Sequence, residues 1–233
     1  MKKSEFTLED IAGAVDENFL TGWCRTAELE EASYLDEELK IGLPNVVSLA
    51  YPLAGEVFNT FDKYPSGVYQ NHYRTVNNFL DLEALKLSRY ISNLGSNALP
   101  VPASHSVEPF CGHLSHRMAA MLSGNGWIGK SALLITEKYA AKVRLVTVLT
   151  DLPLSGRKPE IPFKCGDCRK CIEICPVKAI YDDPQEFNRE ICYKYLQSLI
   201  KRDIVEELIC GLCIKACEGA NHHGWLKSRP STT

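Results

Sequence analysis

The chain has 233 residues, of which 45% are hydrophobic and 24% charged, with a formal net charge of −3. That apolar content can bury one large core or two smaller ones, and the charge balance gives no electrostatic footprint for nucleic acid over the chain as a whole. No apolar run reaches bilayer-spanning length, and the N-terminus has neither the apolar core of a signal peptide nor twin arginines, so a cytoplasmic protein away from the membrane is expected.

Thr7 and Asp10 have the spacing of a capping box, and Leu8, Ile11, Ala12, Val15 and Phe19 recur behind them at helical spacing. A second helix is expected over the acidic LEEASYLDEELK. NVVSLAYPL is apolar and β-branched and reads as a buried strand, followed by an irregular loop over 54–68. From about Tyr73, the residues Val76, Phe79, Leu80, Leu87, Tyr90, Ile91 and Leu94 mark one face of a long helix with Gly95 at its end. LPVPASHSVEP reads as loop and CGHLSHRMAAMLSG as helix. ALLIT and VRLVTVLTDL then read as two strands joined by EKYAAK, which makes an α/β layout of modest size.

Beyond Pro162 the periodicity fades and cysteine spacing becomes the organising signal. Eight of the ten cysteines lie after residue 164. In a reducing compartment they do not form a disulfide framework. The shift in composition divides the chain into an α/β domain over 1–160 and a cysteine-rich domain over 161–233.

The stretch CGDCRKCIEICP gives C-x2-C-x2-C-x3-C-P from Cys165, Cys168, Cys171 and Cys175. Three thiolates at such intervals reach three irons of one cube, and in two-cluster ferredoxins the fourth ligates the other cluster. The motif therefore needs one more ligand for the first cube and three for the second. Cys192 and the C-x2-C-x3-C of Cys210, Cys213 and Cys217 supply them. Cluster one is assigned to Cys165, Cys168, Cys171 and Cys217, and cluster two to Cys175, Cys192, Cys210 and Cys213. Zinc held by Cys165/Cys168 and Cys210/Cys213 is the alternative, but it leaves Cys171 and Cys175 at ferredoxin spacing without a reason. Two crossed cubes form a short electron wire, with Ile172, Ile174, Val177, Ile180, Leu212 and Ile214 between the thiols to exclude water.

In GNGWIGKSALLIT, glycines at 124, 126 and 129 around Trp127 suggest backbone passing close to something flat or bulky, and a tight turn into a strand accounts for them equally well. No phosphate-binding fingerprint fits. Lys130 is a candidate partner for an anionic cofactor group. Cys24 and Cys111 read as buried small residues, and His222 and His223 as exposed.

The series GWIGK, two strands ending LTDLPL, CGDCRKCIEICPVKAI, the lone cysteine of NREICYKY and a final C-x2-C-x3-C resembles the epoxyqueuosine reductase family, whose architecture reductive dehalogenases share. NVVSLAYPL and NHYRTVNNFLDLEALKLSRYI are similar to that family's early strand and following helix. The resemblance implies a nitroreductase-like α/β domain holding a corrinoid (cobalamin, with a flavin as the alternative) ahead of a two-cluster 4Fe–4S ferredoxin-like module. Gly126, Trp127, Gly129, Lys130 and Arg117 would then contact the cofactor, and Tyr73 and Arg74 would lie on the helix beside it. A low-potential donor (ferredoxin, flavodoxin or reduced flavin) would feed the clusters.

The family's segment D-S-x-P-V-L-E-R falls on FCGHLSHR, where only Arg117 matches. Phe110 stands for the acid and His116 for the Glu, which makes His116 the candidate replacement acid. The last cysteine is followed by Glu218 rather than proline, and the family's helical repeat domain has no counterpart in these 233 residues. These departures point to a short paralogue and away from tRNA. Two functions are open: an iron–sulfur reductase with a corrinoid of its own, or an electron-transfer activator that reduces a partner corrinoid protein.

Overall fold

The structure is a computed structural model and describes residues 6–31, 37–39, 41–105 and 112–219. Its elements run α1 (Leu8–Ala12), β1 (Leu20–Arg25), α2 (Thr26–Glu31), β2 (Asn45–Pro52), α3 (Gly67–Asn93), β3 (Ala98–Val101), α4 (His116–Leu122), β4 (Trp127–Ile128), β5 (Leu134–Ile135), β6 (Val143–Thr150), α5 (Lys170–Ile174), α6 (Arg189–Lys201) and α7 (Leu212–Ala216). The described residues contain no helix long and apolar enough to cross a membrane.

The α1 capping box forms as the sequence predicts. The Thr7 hydroxyl accepts from the Asp10 N–H, and the Asp10 carboxylate accepts from the Thr7 N–H at 2.8 Å. The helix stops at Ala12, however, and Val15 and Phe19 do not continue it. The chain turns so that the Asp16 N–H donates to Glu83 on α3 at 3.2 Å, and Phe19 leads into a strand that the sequence reading missed. That strand, β1, begins the main sheet.

The sheet has the order β1-β2-β6-β3, and every neighbouring pair is antiparallel. The mixed α/β class stands, in its α+β form. β2 and β6 occupy the centre, and side-chain alternation sorts their residues between the two faces. Val47, Leu49, Val146 and Val148 pack towards α3 with Leu80, Leu87 and Ile91. Val46 and Leu149 pack the other way, with Cys24, Leu114 and Ala119 of the α4 side. α3 is longer than expected because Ser66 caps it, its hydroxyl accepting from the Tyr69 N–H, and Gly95 at φ +79° ends it. β3 forms inside the proline-bearing stretch expected to be loop. It lies at the sheet edge, where Pro100 needs no ladder partner for a missing N–H. ALLIT and VRLVTVLTDL do hold strands, but these do not pair with each other. β5 pairs with β4 in a separate two-stranded ribbon, and β6 joins the main sheet.

The cysteine segment contributes α5, α6 and α7. Leu199 of α6, together with Val205, Ile209 and Leu212, enters the same hydrophobic cluster as the α3 face of the sheet. Residues on both sides of position 160 therefore share one core.

Candidate functional site

The two halves of the cysteine segment repeat one local design. KCIEI (α5) and LCIKA (α7) are five-residue helices that pack on each other. Each is closed by a cysteine in extended conformation, Cys175 at φ −68°, ψ 114° and Cys217 at φ −79°, ψ 124°. Ile174 of α5 and Ile214 of α7 are partly buried against the main hydrophobic cluster.

Cys165, Cys168, Cys171 and Cys217 line one cavity, together with Lys130, Ser131, Ile135, Lys170, Glu218 and Gly219. Their electrostatics agree with that grouping. The Cys171 thiol is pushed up to about 11, first by burial and then by Cys217, Cys165 and Cys168. In the other set, burial pushes Cys192 up to about 11, with Cys175 and Cys210 adding to it. Cys213 is raised further, by burial and then by Cys210 and Cys192. Cys213 also senses Cys171, so the two sets adjoin.

Four thiols lining one cavity are a donor set suited to iron or zinc. Among the described residues, no three His, Cys, Asp or Glu side chains converge tightly enough to hold a single ion.

The GWIGK stretch forms the floor of this site. Trp127, only 2% exposed, opens β4, and its indole N–H donates to Cys165 Sγ at 3.4 Å. β4 crosses β5 so closely that a Cβ on Gly126 would sit 2.2 Å from the Ile135 carbonyl oxygen. A Cβ on Gly129 would meet the Ile135 side chain at 2.6 Å and Cys165 Sγ at 3.2 Å. The Lys130 ammonium is buried, and it donates to the Cys168 carbonyl at 3.1 Å and to Asp182 at 2.9 Å. Arg169 holds the second Asp182 oxygen. Lys130 first, and Arg169 with it, keeps the Asp182 carboxyl below the usual carboxylate range.

Of the residues expected beside a cofactor, Gly126, Trp127, Gly129 and Lys130 lie against the ribbon and the first cysteine loop. Arg117 donates to the Ala132 carbonyl.

His116, the candidate acid, holds two hydrogen bonds. Its Nε2–H donates to the Pro102 carbonyl at 2.9 Å, which fixes the tautomer, and Nδ1 accepts from the Thr147 hydroxyl at 2.7 Å. Burial is the main cause that pulls its pKa from 6.5 to about 4. The ring ties the start of α4 to β6 and to the residue after β3.

His105 and His113 stack on each other, 5.4 Å between centroids, apart from the thiols. Tyr73 bonds Ser104, and Arg74 pairs with Glu206 and Glu207. Cys24 is fully buried. Phe110, Cys111, His222 and His223 lie outside the described residues. Asp182 is the site residue the sequence reading missed, because a carboxylate in YDDP has no spacing that ties it to a distant lysine.

No protein-family model matches the chain. An epoxyqueuosine reductase of Atelocyanobacterium thalassa is 44% identical over 69 residues, which is 30% of this chain and 22% of that relative. One of Listeria monocytogenes is 34% identical over 96 residues, 41% of this chain and 24% of that protein. The chain thus spans about a quarter or less of those relatives' length in the aligned stretches. The epoxyqueuosine reductase structure from Streptococcus thermophilus superposes with TM-score 0.61 at 17% identity, covering 92% of this chain and 65% of that one. A catabolic reductive dehalogenase superposes with TM-score 0.68 at 18% identity, covering 90% and 31%. Another solved epoxyqueuosine reductase carries an epoxyqueuosine-modified tRNA stem loop and superposes at 0.61. The chain is a relative of the epoxyqueuosine reductases, and it has the fold that those enzymes share with reductive dehalogenases.

Proposed function

We propose that the chain is an iron–sulfur reductase in which Cys165, Cys168, Cys171 and Cys217 hold one 4Fe–4S cluster and Cys175, Cys192, Cys210 and Cys213 hold a second. In this reading, residues 1–160 form the nitroreductase-like part and 161–233 the ferredoxin-like part. Each cluster, when bound, takes up and passes on a single electron. The observation that carries the reading is that Cys217, from the far end of the cysteine segment, lines the same cavity as the three leading thiols of the first motif.

Around the clusters, the chain's own residues exclude water and fix the ligands. Trp127, Ile135 and Ala141 form an apolar floor under Cys165 and Cys217. Lys130 pins the Cys168 carbonyl, and the Ala179 N–H donates to Cys175 Sγ at 3.3 Å. A low-potential ferredoxin, flavodoxin or reduced flavin is the donor class that suits such clusters. Anaerobically prepared protein carries about eight iron and eight acid-labile sulfide per chain under this assignment. Cys217→Ser and Cys175→Ser should each lose about half. Far less iron in the parent protein, or zinc in its place, overturns the reading.

Lys130 and Arg117, which would lie beside a corrinoid in the α/β part, donate to Cys168, Asp182 and Ala132. That same observation favours a second reading, an electron-transfer activator that delivers reducing equivalents to a partner corrinoid protein. Mixing the loaded protein with cob(II)alamin separates the two. A perturbed cobalt spectrum with retention through desalting supports a corrinoid of its own, and clean separation supports the activator. An epoxyqueuosine-modified stem loop is the nucleic acid to test first, because a structural relative was solved with one.

A further inference from the structure

The two thiol sets are not treated alike by the rest of the chain. Around Cys165, Cys168, Cys171 and Cys217 stand an indole N–H on Cys165 Sγ, the N–H groups of Gly219 and Ala141 on Cys217, and two ammonium groups, Lys130 and Lys170. Each ammonium already has a carboxylate partner, Asp182 for Lys130 and Glu218 for Lys170. Around the other set, the Ala179 N–H donates to Cys175 Sγ at 3.3 Å.

Hydrogen bonds to ligand sulfur and nearby positive charge both stabilise the more electron-rich state and raise a cluster's potential. Among the described residues, Trp127 is the side-chain donor to a thiol in this arrangement, and its burial at 2% exposure shields that bond from water. Gly129 keeps the approach open, since any Cβ there would crowd both Ile135 and Cys165.

We propose that Trp127 is a positioning residue that raises the reduction potential of the cluster held by Cys165, Cys168, Cys171 and Cys217 through its indole N–H on Cys165 Sγ. This rests on the two-cluster reading above.

The test is an EPR-monitored redox titration of anaerobically loaded protein, with iron and sulfide measured on the same sample. Trp127→Phe removes the N–H. The one-electron reduction equilibrium of one step should move about tenfold, a shift of 59 mV to lower potential, while the other step stays in place. Replacing Trp127 by its benzothienyl analogue keeps the ring's size and lacks the N–H. It should reproduce the shift even if Trp127→Phe loads poorly. Full loading with both steps unmoved overturns the proposal and leaves the two-cluster reading intact, and so does an equal movement of both steps. Parent protein without iron and sulfide overturns both.

Discussion

A lysine whose side chain is only 5% exposed must be partnered, and Lys130 has both the Cys168 carbonyl and the Asp182 carboxylate. Asp182 is half-exposed and keeps Arg169 as a second partner, so the two ends of the pair are not equivalent. Asp182→Asn strands a buried cation, whereas Lys130→Met leaves a carboxylate that water and Arg169 can satisfy. Urea titration should therefore show the larger fall in midpoint for Asp182→Asn.

His116 makes a second prediction at this scale. The unfolded ring takes a proton near 6.5 and the folded one only near 4, so between these values acid favours the unfolded state. Its contribution is complete above pH 6.5 and is lost as pH falls towards 4, about 1–3 kcal/mol in all. His116→Gln should remove that slope from the difference between stability curves measured at pH 7 and pH 4.5. The cysteines were legible one by one because their spacing repeats in the sequence. Asp182 and the tethering role of His116 were not, because a buried hydrogen bond between distant residues leaves none.

Among the elements, the β4–β5 ribbon leaves little room. Its strands have two residues each, and Gly126 lies where a methyl group would be pressed onto the Ile135 carbonyl. Gly126→Ala should cost roughly 2–4 kcal/mol, as overpacking against backbone does, and should lower iron retention with it. Urea unfolding and iron assays on one preparation check both. α3 was legible because its buried face repeats for many turns. β3 was hidden by its prolines, which an edge strand tolerates. α6 went unseen because Leu199 is its only fully buried residue, so the apolar stripe that marks a helix is faint. β1 was missed because Gly22 and Cys24 interrupt any β-branched run, and its place in the sheet comes from pairing with β2.

Over the whole molecule, the change in composition near residue 160 marks a change of chemistry within a continuous core. Leu199, Val205, Ile209 and Leu212 share a cluster with Leu49, Leu80 and Val146, and Cys165, Ile214 and Cys217 rest on Trp127 and Ile135. Lys215 reaches back to the Phe61 carbonyl and to Asp62 at 2.8 Å. A fragment of residues 161–233 should accordingly show no cooperative unfolding transition and incorporate less iron than the full chain, as measured by circular dichroism and iron assay side by side.

The shared floor also bears on how the protein matures. Its indole, its ammonium and most of its apolar surface leave the ribosome before the last thiol does, so the mould exists before the casting. Under the two-cluster proposal, the first set of ligands is complete only once Cys217, the last of its thiols in the chain, has joined that floor.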